Sequence, residues 1–270
     1  MRKISINILL TLLIIIAAAT YSFATPIEFS FSEASGRSAS ASIDVIGGQL
    51  IIVLSNTSTG APDTNAANSL LTALYFDLPD SASITGGTVL ISPESYTENF
   101  KAKSGGAISL TGGANVSSEY GFGNNGDEIL SAQLPAGDPA VEHVNFFSAM
   151  QTHTTPFLPI PPGTNLDGPA NLDGPQAGLT NNAVDLGGLG AICNSVTANL
   201  NIMGVDLNNP ESASSTLSYI FRDGVTFEWG SDVYFYSTTY IPPVPEPSTM
   251  LMVLIGLIGL GAKGYISRKH

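Results

Sequence analysis

Residues 40–55, SASIDVIGGQLIIVLS, contain the pattern that decides the fold. Apolar and polar residues alternate before Gly47 and Gly48, and apolar residues recur at every second position after them. Apolar side chains with a period of two line one face of a β-strand, and a Gly-Gly pair permits a tight reversal. The stretch therefore predicts a β-hairpin with one buried face, formed by Ala41, Ile43, Val45, Leu50, Ile52 and Leu54.

Strand-length runs continue on both sides of this hairpin, separated by Gly, Asn, Ser and Pro. They lie at residues 26–33, 69–78, 84–92, 141–149, 195–202, 216–221, 225–229 and 232–237. Between residues 25 and 243 no segment shows a sustained apolar repeat of 3.6 residues with helix caps, so helix is expected only in short turns and at the two ends. The pattern predicts one antiparallel β-sandwich, jelly-roll-like, in an all-β chain.

The first 24 residues have the composition of a secretory signal peptide. Arg2 and Lys3 precede an apolar run at residues 8–19, and small residues stand at the −3 and −1 positions of a cleavage site after Ala24. We expect an N-terminal signal helix, passage through the secretion machinery, and cleavage by a signal peptidase between Ala24 and Thr25. The alternative is an N-terminal anchor that is not cut. Residues 25–243 would then form an extracytoplasmic domain.

A second apolar run occupies residues 250–266. Its length of about 17 residues is at the lower limit for a helix that crosses ~30 Å of hydrocarbon. Cationic flanks stay on the cytoplasmic side of a membrane, so the body of the protein is expected outside it. The sequence thus predicts a C-terminal transmembrane helix with a cytoplasmic basic anchor made of Lys263, Arg268 and Lys269.

Just before this run stand Val244, Pro245, Glu246, Pro247 and Ser248. Proline cannot continue a helix and restricts the residue before it to extended geometry, so these residues should form an accessible strip beside the bilayer. The Pro-Glu-Pro box, apolar helix and basic cluster of residues 244–270 resemble the PEP-CTERM sorting signal of Gram-negative bacteria. The resemblance implies that an exosortase recognises the box and processes the tail, after transient membrane anchoring. It places the protein at the cell surface or in the extracellular matrix.

Two alternatives accompany this resemblance. The first is an ordinary tail anchor with a proline-rich stalk. The second concerns a label, because the same tail signature is also called an ice-binding-protein C-terminal motif. That label belongs to the tail and implies no ice binding by the body.

Composition excludes nucleic acid as a partner. Residues 25–243 contain 21 acidic residues and four basic ones, which gives a net charge of −17. Such a surface repels phosphate backbones. The single cysteine, Cys193, can form no disulfide within the chain, so a buried and idle thiol is expected, with a disulfide between chains as the alternative.

Several residues suggest ligand chemistry without completing a site. The repeats at residues 165–169 and 171–175 place Asp167 and Asp173 in Asp-Gly-Pro turns, but the spacing of a known calcium loop is missing. Zinc ligands would have to be Glu142, His143 and His153, without any recognised ligand spacing, so half-buried or solvated histidines are expected. No Gly-x-Ser-x-Gly elbow or phosphate loop occurs. We therefore expect no catalytic residue, no metal and no cofactor.

An aromatic cluster near the end of the body is the remaining candidate for binding. Exposed Tyr and Trp on a sheet can stack on sugars, although aromatics in strands are mostly core. Alternation would place Tyr219 with Phe221 on one face of a strand, and Tyr234 with Tyr236 on one face of another. The cluster comprises Tyr219, Phe221, Phe227, Trp229, Tyr234, Phe235 and Tyr236.

Together these features predict an exported, non-catalytic surface or extracellular-matrix protein with an exosortase and the membrane as partners. An exopolysaccharide is a further candidate partner. Two alternatives stay open: a carbohydrate- or calcium-binding adhesion module, and a secreted hydrolase with an unrecognised site.

Overall fold

The computed structural model describes residues 26–60, 63, 66–100, 106–125, 143–149, 178–181, 190–230 and 234–238. The predicted signal helix, the predicted transmembrane helix and the turns at Asp167 and Asp173 lie outside these residues. Within the described part of the chain, no helix combines the length and apolar character needed to cross a membrane.

The first sheet is built around the predicted hairpin. Its strands lie in the order β1 (Ile27–Ser32), β2 (Ser38–Ile46), β3 (Gln49–Asn56), β11 (Ser195–Met203) and β5 (Ser83–Ile91), and every neighbouring pair is antiparallel. At the β2–β3 turn, Gly47 and Gly48 have φ values of 59° and 79°, a region that glycine enters without steric cost. The predicted inward side chains of β2 and β3 are buried, apart from the partly buried Val45, which confirms the hairpin and most of its buried face.

Among the described residues, the second sheet has eight strands. They are β4 (Leu71–Phe76), β6 (Tyr96–Glu98), β7 (Gly121–Gly123), β8 (Asn145–Ser148), β9 (Leu179–Thr180), β10 (Ala191–Cys193), β12 (Val225–Trp229) and β13 (Tyr234–Thr238). The main order is β13-β12-β4-β9-β10-β6, while β8 pairs with both β4 and β7.

One pair of the second sheet departs from the antiparallel prediction. β9 and β10 run parallel, because the backbone N–H groups of Ile192 and Asn194 donate to the carbonyls of Gly178 and Thr180. The fold is therefore mostly β, with one antiparallel sheet and one mixed sheet. The finer, jelly-roll-like connectivity stays a prediction.

One apolar core contains side chains from both sheets. It includes Ile43, Leu50 and Ile52 from the first sheet and Phe76 and Trp229 from the second, all of them fully buried. Two sheets that share a core in this way bury their inner faces against each other, as a sandwich does.

A 14-residue helix, α1 (Pro210–Asp223), contradicts the predicted strand at residues 216–221 and the predicted lack of a capped helix. The Asn209 side chain accepts hydrogen bonds from the N–H groups of Glu211 and Ser212, and Pro210 begins the helix. Among the buried positions, only Leu217 and Ile220 are large and apolar. This weak stripe, rich in Ser and with β-prone Tyr, Ile and Phe near its end, explains why the periodicity did not reveal a helix.

The edge strands β1 and β13 lie beside each other. The rings of Phe31 and Tyr236 are stacked with centroids 4.2 Å apart, and the Thr238 hydroxyl donates to the Ser30 carbonyl over 3.2 Å. The strands therefore run in opposite directions, and the start of β1 lies near the finish of β13. We call this end of the domain, where Ile27 and Thr238 lie, the tether end, and the opposite end the far end.

Candidate functional site

A buried arginine occupies the far end. Arg37 directly precedes β2 and is 3% exposed. Its Nη1 lies 2.5 Å from Glu33 Oε1 and donates to the Tyr236 hydroxyl over 3.0 Å. Its Nη2 lies 3.8 Å from Asp63 Oδ2. A buried guanidinium requires such partners, since burying a charge without compensation is costly.

Tyrosine rings complete the surroundings of this arginine. The guanidinium carbon lies 4.0 Å from the centroid of the Tyr234 ring and 5.7 Å from that of Tyr236, distances typical of cation–π contacts. The Tyr234 hydroxyl donates to Asp63 Oδ2 over 3.0 Å. We call Arg37, Glu33, Asp63, Tyr234 and Tyr236 the Arg37 cluster.

The electrostatics of the Arg37 cluster are internally balanced. Partial burial opposes ionisation of Glu33, but hydrogen bonds from Ser35 and Tyr236, with the charge of Arg37, outweigh it and hold the pKa of Glu33 below its usual value. Burial raises the pKa of Tyr236. With two carboxylates facing one guanidinium, the cluster offers no excess positive charge to an anionic ligand. Its contacts join the first sheet, beside Arg37, to the second sheet, which carries Tyr234 and Tyr236.

The predicted aromatic cluster is divided among three surroundings. Tyr219 and Phe221 lie on α1, so their predicted place on a sheet face is wrong. Tyr234 and Tyr236 do share a face, as the alternation predicted, and their rings stack at 6.4 Å. That face points inward, where Trp229 is 0% exposed. The seven rings thus do not form one platform.

Phe235 lies on the opposite face of the second sheet, in a small cluster that the sequence reasoning missed. Tyr75 stacks on Phe146 at 5.3 Å and meets Phe235 edge-on at 6.2 Å. The Tyr75 hydroxyl donates to Oε2 of Glu228 over 2.8 Å, and Glu228 is 1% exposed. The signal for it was available in β4, LTALYF, whose lack of alternation is typical of a strand buried on both faces.

His143 is fully buried, so the prediction of a half-buried or solvated histidine is wrong. Its Nδ1 lies 2.9 Å from Asp77 Oδ2, and the other Asp77 oxygen accepts the Val144 N–H. This carboxylate compensates the burial of the imidazole. Glu142 and His153 lie outside the described residues. Among the residues that are described, no three His, Cys, Asp or Glu side chains are close enough to hold a metal ion.

Cys193 is buried, which confirms the expected buried thiol. Its Sγ lies 3.4 Å from Oε2 of Glu98. Burial, reinforced by this carboxylate, raises the pKa of the thiol to about 12. A thiol that stays protonated near neutral pH is a poor nucleophile.

The residues that carry the predicted sorting chemistry lie outside the described part of the chain. They are Ala24, Thr25, Val244, Pro245, Glu246, Pro247, Ser248, Lys263, Arg268 and Lys269. The family model of the PEP-CTERM protein-sorting motif matches residues 243–269. The chain carries a PEP-CTERM motif.

The PEP-CTERM match confirms the resemblance seen in the Pro-Glu-Pro box, the apolar run and the basic cluster. It supports exosortase-dependent sorting of a surface protein, with an exosortase as the processing partner. It also implies export and membrane-associated sorting to the cell surface. No curated protein and no solved structure matches the chain.

Proposed function

We propose that the protein is a non-catalytic surface or extracellular-matrix protein of a Gram-negative bacterium, exported through its signal peptide and processed by an exosortase. The observation that carries this proposal is the PEP-CTERM match at residues 243–269. The β domain is then the mature product, and the tail is the sorting signal that brings it to the processing enzyme.

Three parts of the tail divide this task. The apolar run at residues 250–266 partitions into the bilayer and halts export. Arg268 and Lys269 hold the terminus inside, because translocating them is costly. The Pro-Glu-Pro box then lies extended at the outer membrane–water boundary, with Glu246 as its one charged contact.

The reactive groups described in the domain support the non-catalytic part of the proposal. Nδ1 of His143 is engaged by Asp77, and burial keeps the Cys193 thiol protonated. The Arg37 guanidinium is compensated by two carboxylates. These contacts engage one ring nitrogen of His143 and the guanidinium of Arg37, and they leave the Cys193 thiol a poor nucleophile.

The test uses the wild type and two variants in cells with and without an exosortase. Glu246→Gln should leave insertion intact and reduce tail removal, because it keeps the shape of the box and deletes its charge. Deletion of residues 268–270 should instead let the tail slip outward. Mass spectrometry of the C-terminus measures tail removal, and membrane fractionation measures how much of each protein stays attached to the membrane. An intact wild-type C-terminus in both strains would show an ordinary tail anchor and refute the proposal.

A further inference from the structure

β1, which follows the predicted signal peptide, begins at the tether end, and β13, which precedes the PEP-CTERM motif, ends there. β1 begins at Ile27 and β13 ends at Thr238. Thr238 contacts Ser30, which lies three residues after Ile27 on β1. Only residues 239–244 separate Thr238 from Pro245. At about 3.6 Å per residue, a segment of this length spans at most roughly 25 Å. An enzyme that binds the Pro-Glu-Pro box is therefore held within reach of this end of the domain.

Exposed apolar side chains concentrate at the same end. Five large apolar residues are exposed among those described: Ile46, Tyr96, Val144, Met203 and Phe221. Four of them lie at the tether end. Ile46 is the last residue of β2 and Met203 the last residue of β11. Val144 directly precedes β8, and Phe221 lies in the last turn of α1. Tyr96 pairs with Cys193 at the far end.

The two most exposed of these residues share one surface. Ile46 is 59% exposed and Met203 is 62% exposed. They lie on the outer face of the first sheet, on strands separated by β3, where the Gln49 side chain donates to Asn201 over 2.7 Å. Neither side chain is part of the domain core.

The charge around these residues indicates what kind of partner fits. Accessible carboxylates at the tether end belong to Asp44, Asp80, Asp206 and Glu211. Among the residues described there, the cation is Arg222, whose guanidinium is paired with Asp223 at 2.7 Å. An acidic, partly apolar surface is repelled by an anionic lipid surface and is complementary to a partner that presents apolar and basic groups.

We propose that the tether end is a docking surface for the extracytoplasmic surface of the exosortase itself, in addition to the Pro-Glu-Pro box. The proposal rests on the proposed function. A short tether holds the two partners at an effective concentration on the order of millimolar, so a small and weak contact is sufficient to orient the box. The enzyme surface in contact is of apolar and basic chemistry.

The experiment compares the full chain with its Ile46→Ser/Met203→Ser double variant in exosortase-bearing cells. Pulse-chase labelling and mass spectrometry give the rate of tail removal. We expect removal to slow by about fivefold or more, because the contact no longer raises the local concentration of the box. The matched control is Tyr96→Ser, an exposed apolar residue at the far end, which should be processed at the wild-type rate. Each single variant should show an intermediate rate.

Three outcomes separate the possibilities. Equal rates for the wild type and the double variant would overturn the docking proposal while leaving the sorting function intact. An unprocessed wild type would instead overturn the proposed function. If the double variant also lowers the membrane-bound fraction in cells without an exosortase, the bilayer is the occupant and the proposal fails. Limited proteolysis of each variant checks that the domain is folded, and a slowed variant with altered proteolysis would count against docking.

Discussion

The two ends of this domain use their large side chains in opposite ways. At the far end, Arg37, Tyr234 and Tyr236 turn inward, and the Arg37 guanidinium contacts both tyrosines. At the tether end, Ile46 and Met203 are exposed, while Leu217 and Ile220 of α1 pack into the core. The far end therefore contributes mainly to stability, whereas the tether end leaves apolar surface available for contact.

Substitution of Arg37 should give the largest loss of stability of the changes that compare the two ends. Arg37→Met leaves Glu33 and Asp63 without their cation and removes the contacts to two tyrosine rings. Breaking a buried ion pair by deleting one partner costs about 3 kcal/mol of unfolding free energy. Urea denaturation of residues 25–243 expressed alone measures this loss.

The matched control is Arg222→Met at the tether end. The Arg222 side chain is 63% exposed, pairs with its neighbour Asp223 and lies 4.3 Å from the centroid of the Tyr219 ring. An exposed ion pair of this kind contributes little to stability, so Arg222→Met should lower the unfolding free energy far less than Arg37→Met. Equal losses for the two variants would show that the Arg37 cluster does not lock the far end.

The second largest effect is expected at the cap of α1. Asn209→Ala removes the acceptor of the N–H groups of Glu211 and Ser212, which should lower the unfolding free energy by about 1 kcal/mol. Ser215→Ala, an exposed site within the same helix, should change stability by less than about 0.5 kcal/mol. Thermal unfolding monitored by circular dichroism tests both. No loss on Asn209→Ala would mean that α1 is held by its packing alone.

The same two regions show how far the sequence predicts the fold. The β2–β3 hairpin was predictable because its turn and its alternation lie within one short stretch. α1 was missed because its buried stripe has only two large apolar residues and its cap became informative only beside a recognised helix. The Arg37 cluster was beyond reach, since Arg37 and Tyr236 are 199 residues apart. The sorting signal was recognisable because its three parts are contiguous in sequence.

Acid should weaken the far end through Glu33. Its pKa is lower in the folded state than the ordinary carboxyl value, so the stability it contributes is present above the unfolded pKa and is lost as pH falls through the folded pKa. At pH 7, Glu33→Gln should cost less than about 1 kcal/mol, because the carboxyl is partly exposed. Urea midpoints of the two proteins should converge as the pH is lowered below about 4. A difference that does not depend on pH would assign the effect to packing rather than to charge.

The smallest effect on stability should come from the tether end. Ile46→Ser with Met203→Ser changes two side chains that are mostly in water, and surface substitutions of this kind usually alter the unfolding free energy by no more than about 0.5 kcal/mol. The control is Leu50→Ala, on the β3 strand beside Ile46 but fully buried, which should cost about 2 to 5 kcal/mol. Urea denaturation of the three proteins distinguishes surface from core. A loss above about 1 kcal/mol for the double variant would mean that Ile46 and Met203 support the fold, and slower tail removal could then be an indirect effect of instability. A neutral result would leave a surface contact as the reason for slower processing.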